Sequence, residues 1–583
     1  DRNYSTGTDP LSGNNPIILG AGPLVGTGVP GASKIVATTR FPLNGTISES
    51  VGSMRFALNL KGAGFDHVVI TGKAKKPSVL VLEGDNMSLI DARDLWGTDI
   101  FVATDKLKEA YGGSKSSVIA IGPAGENRVA FSLSMVDKAS TLGRGGLAAI
   151  MGSKNLKAIV AYGNRRPKIY NKTAYKTLIA GIRERLKRFK GHSRVLELGI
   201  MENWDNYMQQ FTSCRNFSRA FSHKKARELY GPDVYREFKV KRFGCPSCFT
   251  PDKDHIQIIE GPYSGFETTT TSYFNSAIFG CLFDLNLPTD KTVSLRLVDI
   301  LDRLGLDMFS FGKIMDFIIT MCEEDKLDSS RFGLPLKRDP DSLQQWASAI
   351  ATRKGSADIL AMGWRSLLDY LGKEYEARAP VIKDCDVIWE PRLVGLGSME
   401  FEQIVSLKGP RSASGGSPTY VPGQTEEALP LFRRHLNRMG ADEEAIDRIM
   451  DSPMGFNVGR ITRYSEDWYT ILSSLGICNR HFNNRFYSYA LCTELFAAAT
   501  GFRIDEGHLR KAAKQIWNAL KKLNQKEGFG KAEDRPPEIW FTPMKGTEGE
   551  LLPLRDYFGK KELSKTDVAR LVDDYYDERG WKD

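Results

Sequence analysis

The chain has 583 residues, 41% hydrophobic and 26% charged, which fits a globular protein of several units and excludes a disordered, collagenous or coiled-coil chain. Lysine and arginine number 80 against 71 acidic residues, and the resulting +9 is too dilute over this length to mark a nucleic-acid binder. Eight cysteines are too few and too irregularly spaced for a disulfide scaffold, no apolar run approaches the ~18 residues of a membrane span, and the first residues have no leader character, so a cytoplasmic, thiol-reducing setting is expected.

Taken in chain order, residues 1–163 read as sheet. Apolar runs at Pro16–Leu24, Lys34–Thr39, His67–Gly72, Ser78–Leu82, Ser117–Ile121, Val129–Met135 and Leu156–Ala161 are separated by turn residues such as Pro42-Leu43-Asn44-Gly45 and Glu83-Gly84-Asp85-Asn86. Past Pro167 the period becomes helical: Leu178, Ile179, Ile182 and Leu186 recur among basic residues in Tyr175–Lys190. Further helices are predicted at Thr292–Leu304, Phe311–Glu324, Glu426–Met439, Ala441–Met450 and Glu506–Leu523. The Gly/Ser/Pro-rich segment Lys408–Gly423 reads as a long loop of the kind that often serves function. The expected class is α+β: a β-rich domain over residues 1–163, then two mostly helical domains over 164–395 and 396–583.

Three motifs could carry chemistry. Gly143-Arg144-Gly145-Gly146 precedes an apolar run, Leu147–Met151. Glycines admit an anion close to backbone amides and the arginine supplies a bidentate fork, so the motif suits a phosphate, although a tight turn uses the same residues. Cys245-Pro246-Ser247-Cys248, with Asp252, Asp254 and His255 following, suits one face of an iron–sulfur cluster. Half a zinc site, a redox dithiol or a purely structural pair are its alternatives. The third motif is a pair of segments, Asp302-Arg303-Leu304-Gly305-Leu306-Asp307 and Ser473-Ser474-Leu475-Gly476-Ile477-Cys478, each explicable as a glycine ending a helix. Glu267 and His481 stand alone, and Arg510, Lys511, Lys514, Lys521 and Lys522 read as a solvated helix face.

Together and in this order, the motifs resemble the aldehyde:ferredoxin oxidoreductase family of tungsten or molybdenum bis-pyranopterin enzymes. The likeness also runs through Ile18–Thr27, Pro42–Gly45, Lys61–Asp66, Ile121–Asn127, Met151–Ile159 and the tail Tyr575–Trp581. The resemblance implies that the β-rich domain carries the pterin cofactor, with Arg144, Gly145 and Gly146 near its phosphates and a magnesium ion bridging those phosphates. It implies that Asp302, Gly305, Leu306 and Asp307 grip one pterin, and that Ser473, Gly476, Ile477 and Cys478 grip the other. Lys34 stands where the family has an arginine near the cofactor, and Gly52-Ser53 where it has a Gly-Gly turn. Cys245, Cys248 and Cys478 fill three of four ligand positions of a [4Fe–4S] cluster, with Asp252 in place of the remaining cysteine. Glu267 falls on a pocket glutamate and would transfer protons, whereas no histidine between His255 and His435 matches the pocket histidine of the aldehyde enzymes.

The implied activity is oxidation of an aldehyde to a carboxylate, with electrons leaving through the cluster to a ferredoxin-type acceptor. The active-site subunit of an aromatic acyl-CoA reductase complex, and a degenerate electron-transfer or scaffold subunit, are the alternatives. The implied partners are a small aldehyde or acyl substrate and an iron–sulfur electron-transfer protein, within a homo-oligomer or a larger complex, and neither nucleic acid nor membrane. Lys239, Lys241, Arg242, Arg480 and Arg485 around the cysteines suit an acidic partner or the phosphates of coenzyme A.

Overall fold

β1 (Ile17–Ala21) and β2 (Ile35–Arg40) bury every second side chain, Ile17, Leu19 and Ala21 from one and Ile35, Ala37 and Thr39 from the other. This is the pattern of an antiparallel sheet with one packed face. The computed structural model describes residues 5–582 apart from 271–272, 285–291, 412–421, 453–454 and 481–483. His481, the Lys239 side chain and most of the Lys408–Gly423 loop therefore lie outside the described residues. β3 (Ile47–Gly52), α1 (Phe56–Gly62) and β4 (His67–Ile70) complete a four-stranded sheet of order β3-β2-β1-β4.

A second sheet follows. β5 (Ser78–Glu83) turns through Gly84 and Asp85, both at positive φ, into β6 (Asn86–Asp91). After α2 (Ile100–Ala110) come β7 (Ser116–Ile121), α3 (Pro123–Glu126), β8 (Ser134–Val136), β9 (Ser140–Leu142), α4 (Leu147–Ser153) and β10 (Leu156–Tyr162). The order is β6-β5-β10-β7-β8-β9. β7 is buried along its whole length, which explains why its residues Val118–Ile121 form a continuous apolar run with no alternation. Val129–Met135 folds mostly as turns, with a strand only at Ser134–Val136.

The path β7-β8-β9-α4-β10 repeats the path β1-β2-β3-α1-β4, and the strand orders β9-β8-β7-β10 and β3-β2-β1-β4 correspond. Each first strand runs into a Gly-Pro pair, Gly22-Pro23 in one half and Gly122-Pro123 in the other. The halves meet at β3 and β9, where the Ser53 and Ser140 hydroxyls lie 2.9 Å apart. They share one core that includes Leu19, Ile35, Ile121, Leu142 and Ile150.

The rest is mainly helical. α5 (Lys172–Lys187) buries Tyr175, Ile179, Ile182 and Leu186 in the same core as the C-terminal helices Val458–Leu475 and Lys565–Arg579. A separate core forms around Phe274–Leu282, Val293–Leu304 and Met308–Glu323. The sequence hides the Val458–Leu475 helix because Thr462, Ser465, Glu466 and Asp467 are buried there among the apolar residues, which breaks the apolar period of its inward face. Arg579 pairs with both Glu466 and Asp467 and compensates their buried charge. Among the described residues no helix is long and apolar enough to cross a membrane.

Candidate functional site

The two Leu-Gly segments dock on the two equivalent ends of the N-terminal domain. Gly476, at φ +87°, ends the helix Val458–Leu475, and Gly305, at φ +78°, ends the helix Val293–Leu304. Both are left-handed caps, so the helix-ending reading holds for both segments. They also do more than cap. Leu24 N–H donates to the Leu475 carbonyl (3.1 Å), Lys34 N–H to that of Gly476 (3.0 Å) and Cys478 N–H to that of Gly31 (2.9 Å). In the other half, Leu133 N–H donates to the Gly305 carbonyl (2.8 Å) and Asp307 N–H to that of Phe131 (3.1 Å). Ala32 bridges Ile477 as Ser132 bridges Leu306. A Cβ on Gly22 would sit 2.2 Å from Gly476 N, and one on Gly122 2.5 Å from Leu304 O, so both contacts require glycine.

At the Leu306 end, Arg144 (φ 54°), Gly145 (88°) and Gly146 (91°) form three consecutive left-handed residues. A Cβ on Gly146 would meet the Ala130 carbonyl at 2.2 Å. One Arg144 nitrogen binds the Asp386 carboxylate and carbonyl, and the guanidinium stacks over Phe309 at 5.8 Å. Its Nε and Nη1 are buried without a partner among the described residues. Asp307 caps the helix Met308–Glu323 by accepting from Phe309 N–H (2.9 Å) and Ser310 N–H (3.0 Å). Asp302 is buried, and burial together with the Asp299 and Asp307 charges pushes its carboxyl up to about 8. Lys408 lies over Phe41 at 4.0 Å and donates to the Glu49 (3.1 Å) and Gly143 (3.3 Å) carbonyls; burial pulls its ammonium down to about 7.

At the Ile477 end, Gly31 links two thiol-bearing segments. Its carbonyl accepts from Cys478 N–H, and its own N–H donates to the Ser247 carbonyl (2.8 Å) inside the Cys-x2-Cys turn. Cys248 N–H closes that turn on the Cys245 carbonyl at 3.0 Å, and Met54 N–H lies 3.4 Å from the Cys245 sulfur. Burial, together with the neighbouring Cys245, Asp252 and Cys478, pushes the Cys248 thiol up to about 12. Asp252 is held by Arg480 (2.9 Å) and Lys253 (3.2 Å), and these cations, with Lys34, bring its carboxyl down to about 2 against the effect of burial. Among the described residues no three His, Cys, Asp or Glu side chains converge as on a single metal ion.

The remaining expected residues are less central. Gly52 and Ser53 lie at the seam between the halves, where a Cβ on Gly52 would touch Leu142 at 3.0 Å. Ser473 is in the last turn of its helix and its carbonyl accepts from Gly476 N–H (3.0 Å). Glu267 opens the strand Glu267–Thr270, half exposed, 3.4 Å from His255 Nε2. No described contact joins Glu267 to Arg144 or Asp307, but the next residue, Thr268, donates its hydroxyl to Asp299, three residues before Asp302. Sequence reading missed Asp386, Asp299 and Lys408. No motif marks them, because each acts through a fold contact with a residue far away in the chain.

The residues present suit the pterin cofactor. Arg144 offers two buried, unpartnered donors for an anion, and the Asp302 carboxyl suits the N–H groups of a pterin edge. Ser33 and Ser132, one at each end, keep buried hydroxyls without a partner among the described residues. The donor set Cys245, Cys248 and Cys478 suits iron–sulfur chemistry.

Residues 1–163 match the family model for the aldehyde ferredoxin oxidoreductase N-terminal domain, and residues 182–583 match that for its domains 2 and 3. The tungsten-containing aldehyde ferredoxin oxidoreductase of Pyrococcus horikoshii is 25% identical over 98% of this chain and 88% of its own. The aliphatic sulfonate oxidoreductase WOR-like subunit of Pyrococcus furiosus is 30% identical over 61% of this chain and 58% of its own. Among solved structures, the active-site complex BamBC of benzoyl coenzyme A reductase with 1,5-dienoyl-CoA shares the fold, with a TM-score of 0.79 at 22% identity over 99% of this chain and 88% of that one.

Proposed function

This chain belongs to the aldehyde ferredoxin oxidoreductase family and is an oxidoreductase, and from that premise we propose that it oxidises an aldehyde with water to a carboxylate, releasing two electrons and three protons. An iron–sulfur cluster would supply the one-electron path to a ferredoxin-type acceptor. A tungsten or molybdenum ion on two pyranopterins would supply the oxygen and electron chemistry. The observation that carries this reading is the paired docking of Leu304–Asp307 and Leu475–Cys478 on equivalent ends of a doubled domain, which gives two like sites for two like pterins. Arg144, Gly145, Gly146, Asp302 and Asp307 would hold one pterin, and Lys34, Gly476 and Ile477 the other, with Gly52 and Ser53 between the halves and Ser473 ending its helix. Cys245, Cys248 and Cys478 would hold the cluster beside the second pterin, and Glu267, with His255 next to it, would carry protons to solvent.

A second reading, the active-site subunit of an aromatic acyl-CoA reductase complex, is supported by the fold shared with the BamBC complex of benzoyl coenzyme A reductase and by the aromatic packing around Phe309, two residues past Asp307. Phe211 touches the rings of Phe309, Phe274 and Trp389 there. The test is dye reduction by anaerobically purified protein with a panel of aldehydes, beside reductant-driven turnover of aromatic acyl-CoA thioesters. Aldehyde-dependent reduction with carboxylate formed supports the first reading. Activity only with the thioesters replaces it with the second, and activity with neither overturns both.

A further inference from the structure

Resting on the cluster assignment above, we propose that the cluster is held by three side chains only, the thiolates of Cys245, Cys248 and Cys478, and that Asp252 is not its fourth ligand but the carboxylate that positions Arg480 beside the sulfurs. The geometry is specific. Oδ2 of Asp252 accepts from Nε of Arg480 at 2.9 Å, and Oδ1 faces Nζ of Lys253 at 3.2 Å. Both oxygens are thus engaged, and ligating iron would compete with two ion pairs, one to the buried Lys253 and one to the partly buried Arg480. A carboxylate is also a harder donor than the thiolates and suits a sulfide-rich iron less well. Arg480 is two residues past Cys478 and lies within electrostatic reach of all three cysteine sulfurs as well as of Asp252. Asp252 therefore orients the positive guanidinium of Arg480 beside the sulfurs, and one iron of the cluster would have no ligand from this chain.

An iron without a side-chain ligand is exchangeable. Oxidation by ferricyanide in the presence of a chelator converts [4Fe–4S]2+ into [3Fe–4S]+, one Fe2+ and one electron, with the electron taken by ferricyanide and the Fe2+ by the chelator. Added Fe2+ and an electron from dithionite reverse it.

The test is electron paramagnetic resonance of the anaerobically purified, full-length protein under this treatment, with iron and tungsten or molybdenum counted on the same samples. The wild type is expected to show the three-iron signal and to lose it again on reconstitution, and Asp252→Asn to behave in the same way. Arg480→Gln is expected to lower the cluster's midpoint potential, since a positive charge beside the sulfurs favours the reduced state. A wild-type cluster that keeps all four irons overturns the proposal. So does an Asp252→Asn cluster that is more labile than the wild type, which would make the aspartate a ligand. An unchanged potential in Arg480→Gln overturns the placement of the arginine. Tungsten or molybdenum without iron overturns this proposal alone, whereas the absence of all three metals overturns the proposed function with it.

Discussion

At the scale of single residues, the proposed proton path turns on one carboxylate. Glu267 is half exposed beside His255, so it can exchange protons with solvent without a long relay. Glu267→Gln is expected to abolish turnover while leaving metal content and melting temperature unchanged, and measuring all three on one preparation checks it. Asp302 gives a pH prediction on cofactor-free protein. Its carboxyl is raised from 3.8 to about 8 by burial and by Asp299 and Asp307. Between those values the folded state holds a proton that the unfolded chain has released, so folding stability falls as pH rises through this window. The denaturation midpoint is expected to fall from about pH 4 to about pH 8, and Asp302→Asn, which mimics the neutral acid, is expected to flatten that slope.

At the scale of elements, the two Leu-Gly segments are the joints between helical cores and strand ends. Gly22→Ala and Gly122→Ala put a methyl 2.2 Å and 2.5 Å from backbone atoms of the docked segment. Each is expected to cost at least about 1–3 kcal/mol and to reduce cofactor content, read by chemical denaturation and metal analysis. Gly181 in α5 is exposed with open space around its Cβ position, so Gly181→Ala is expected to stabilise the chain by about 0.5–1 kcal/mol. The strands β1, β2, β5 and β7 and the helix α5 were legible because their side chains report burial directly. The doubling of the domain was not, because the halves share only scattered glycines and prolines and the repeat is in the path of the backbone. Arg144, the cysteines and both Leu-Gly segments were legible as motifs, but what pairs them, Asp386 with Arg144 and Gly31 with Cys478, is set by folding alone.

Across the whole molecule, part of the +9 charge is concentrated where electrons would leave. Arg183, Arg185, Lys187, Arg188 and Lys190 are exposed on or just past α5, and Arg183 lies over Phe249, the residue after Cys248, at 5.6 Å. An acidic carrier is drawn to such a face and repelled by its reversal. Transfer to an acidic iron–sulfur carrier is expected to slow as salt rises, and a charge-reversed Arg183/Lys187/Arg188 variant to raise the carrier's KM while leaving reduction of a small viologen unchanged. The central claim is that the doubled domain, closed by a segment from each helical core, holds one metal–pterin centre next to one cluster. Elemental analysis of anaerobically purified protein tests it most directly: the account predicts about one tungsten or molybdenum and about three to four irons per chain, and protein that contains neither tungsten nor molybdenum would contradict it.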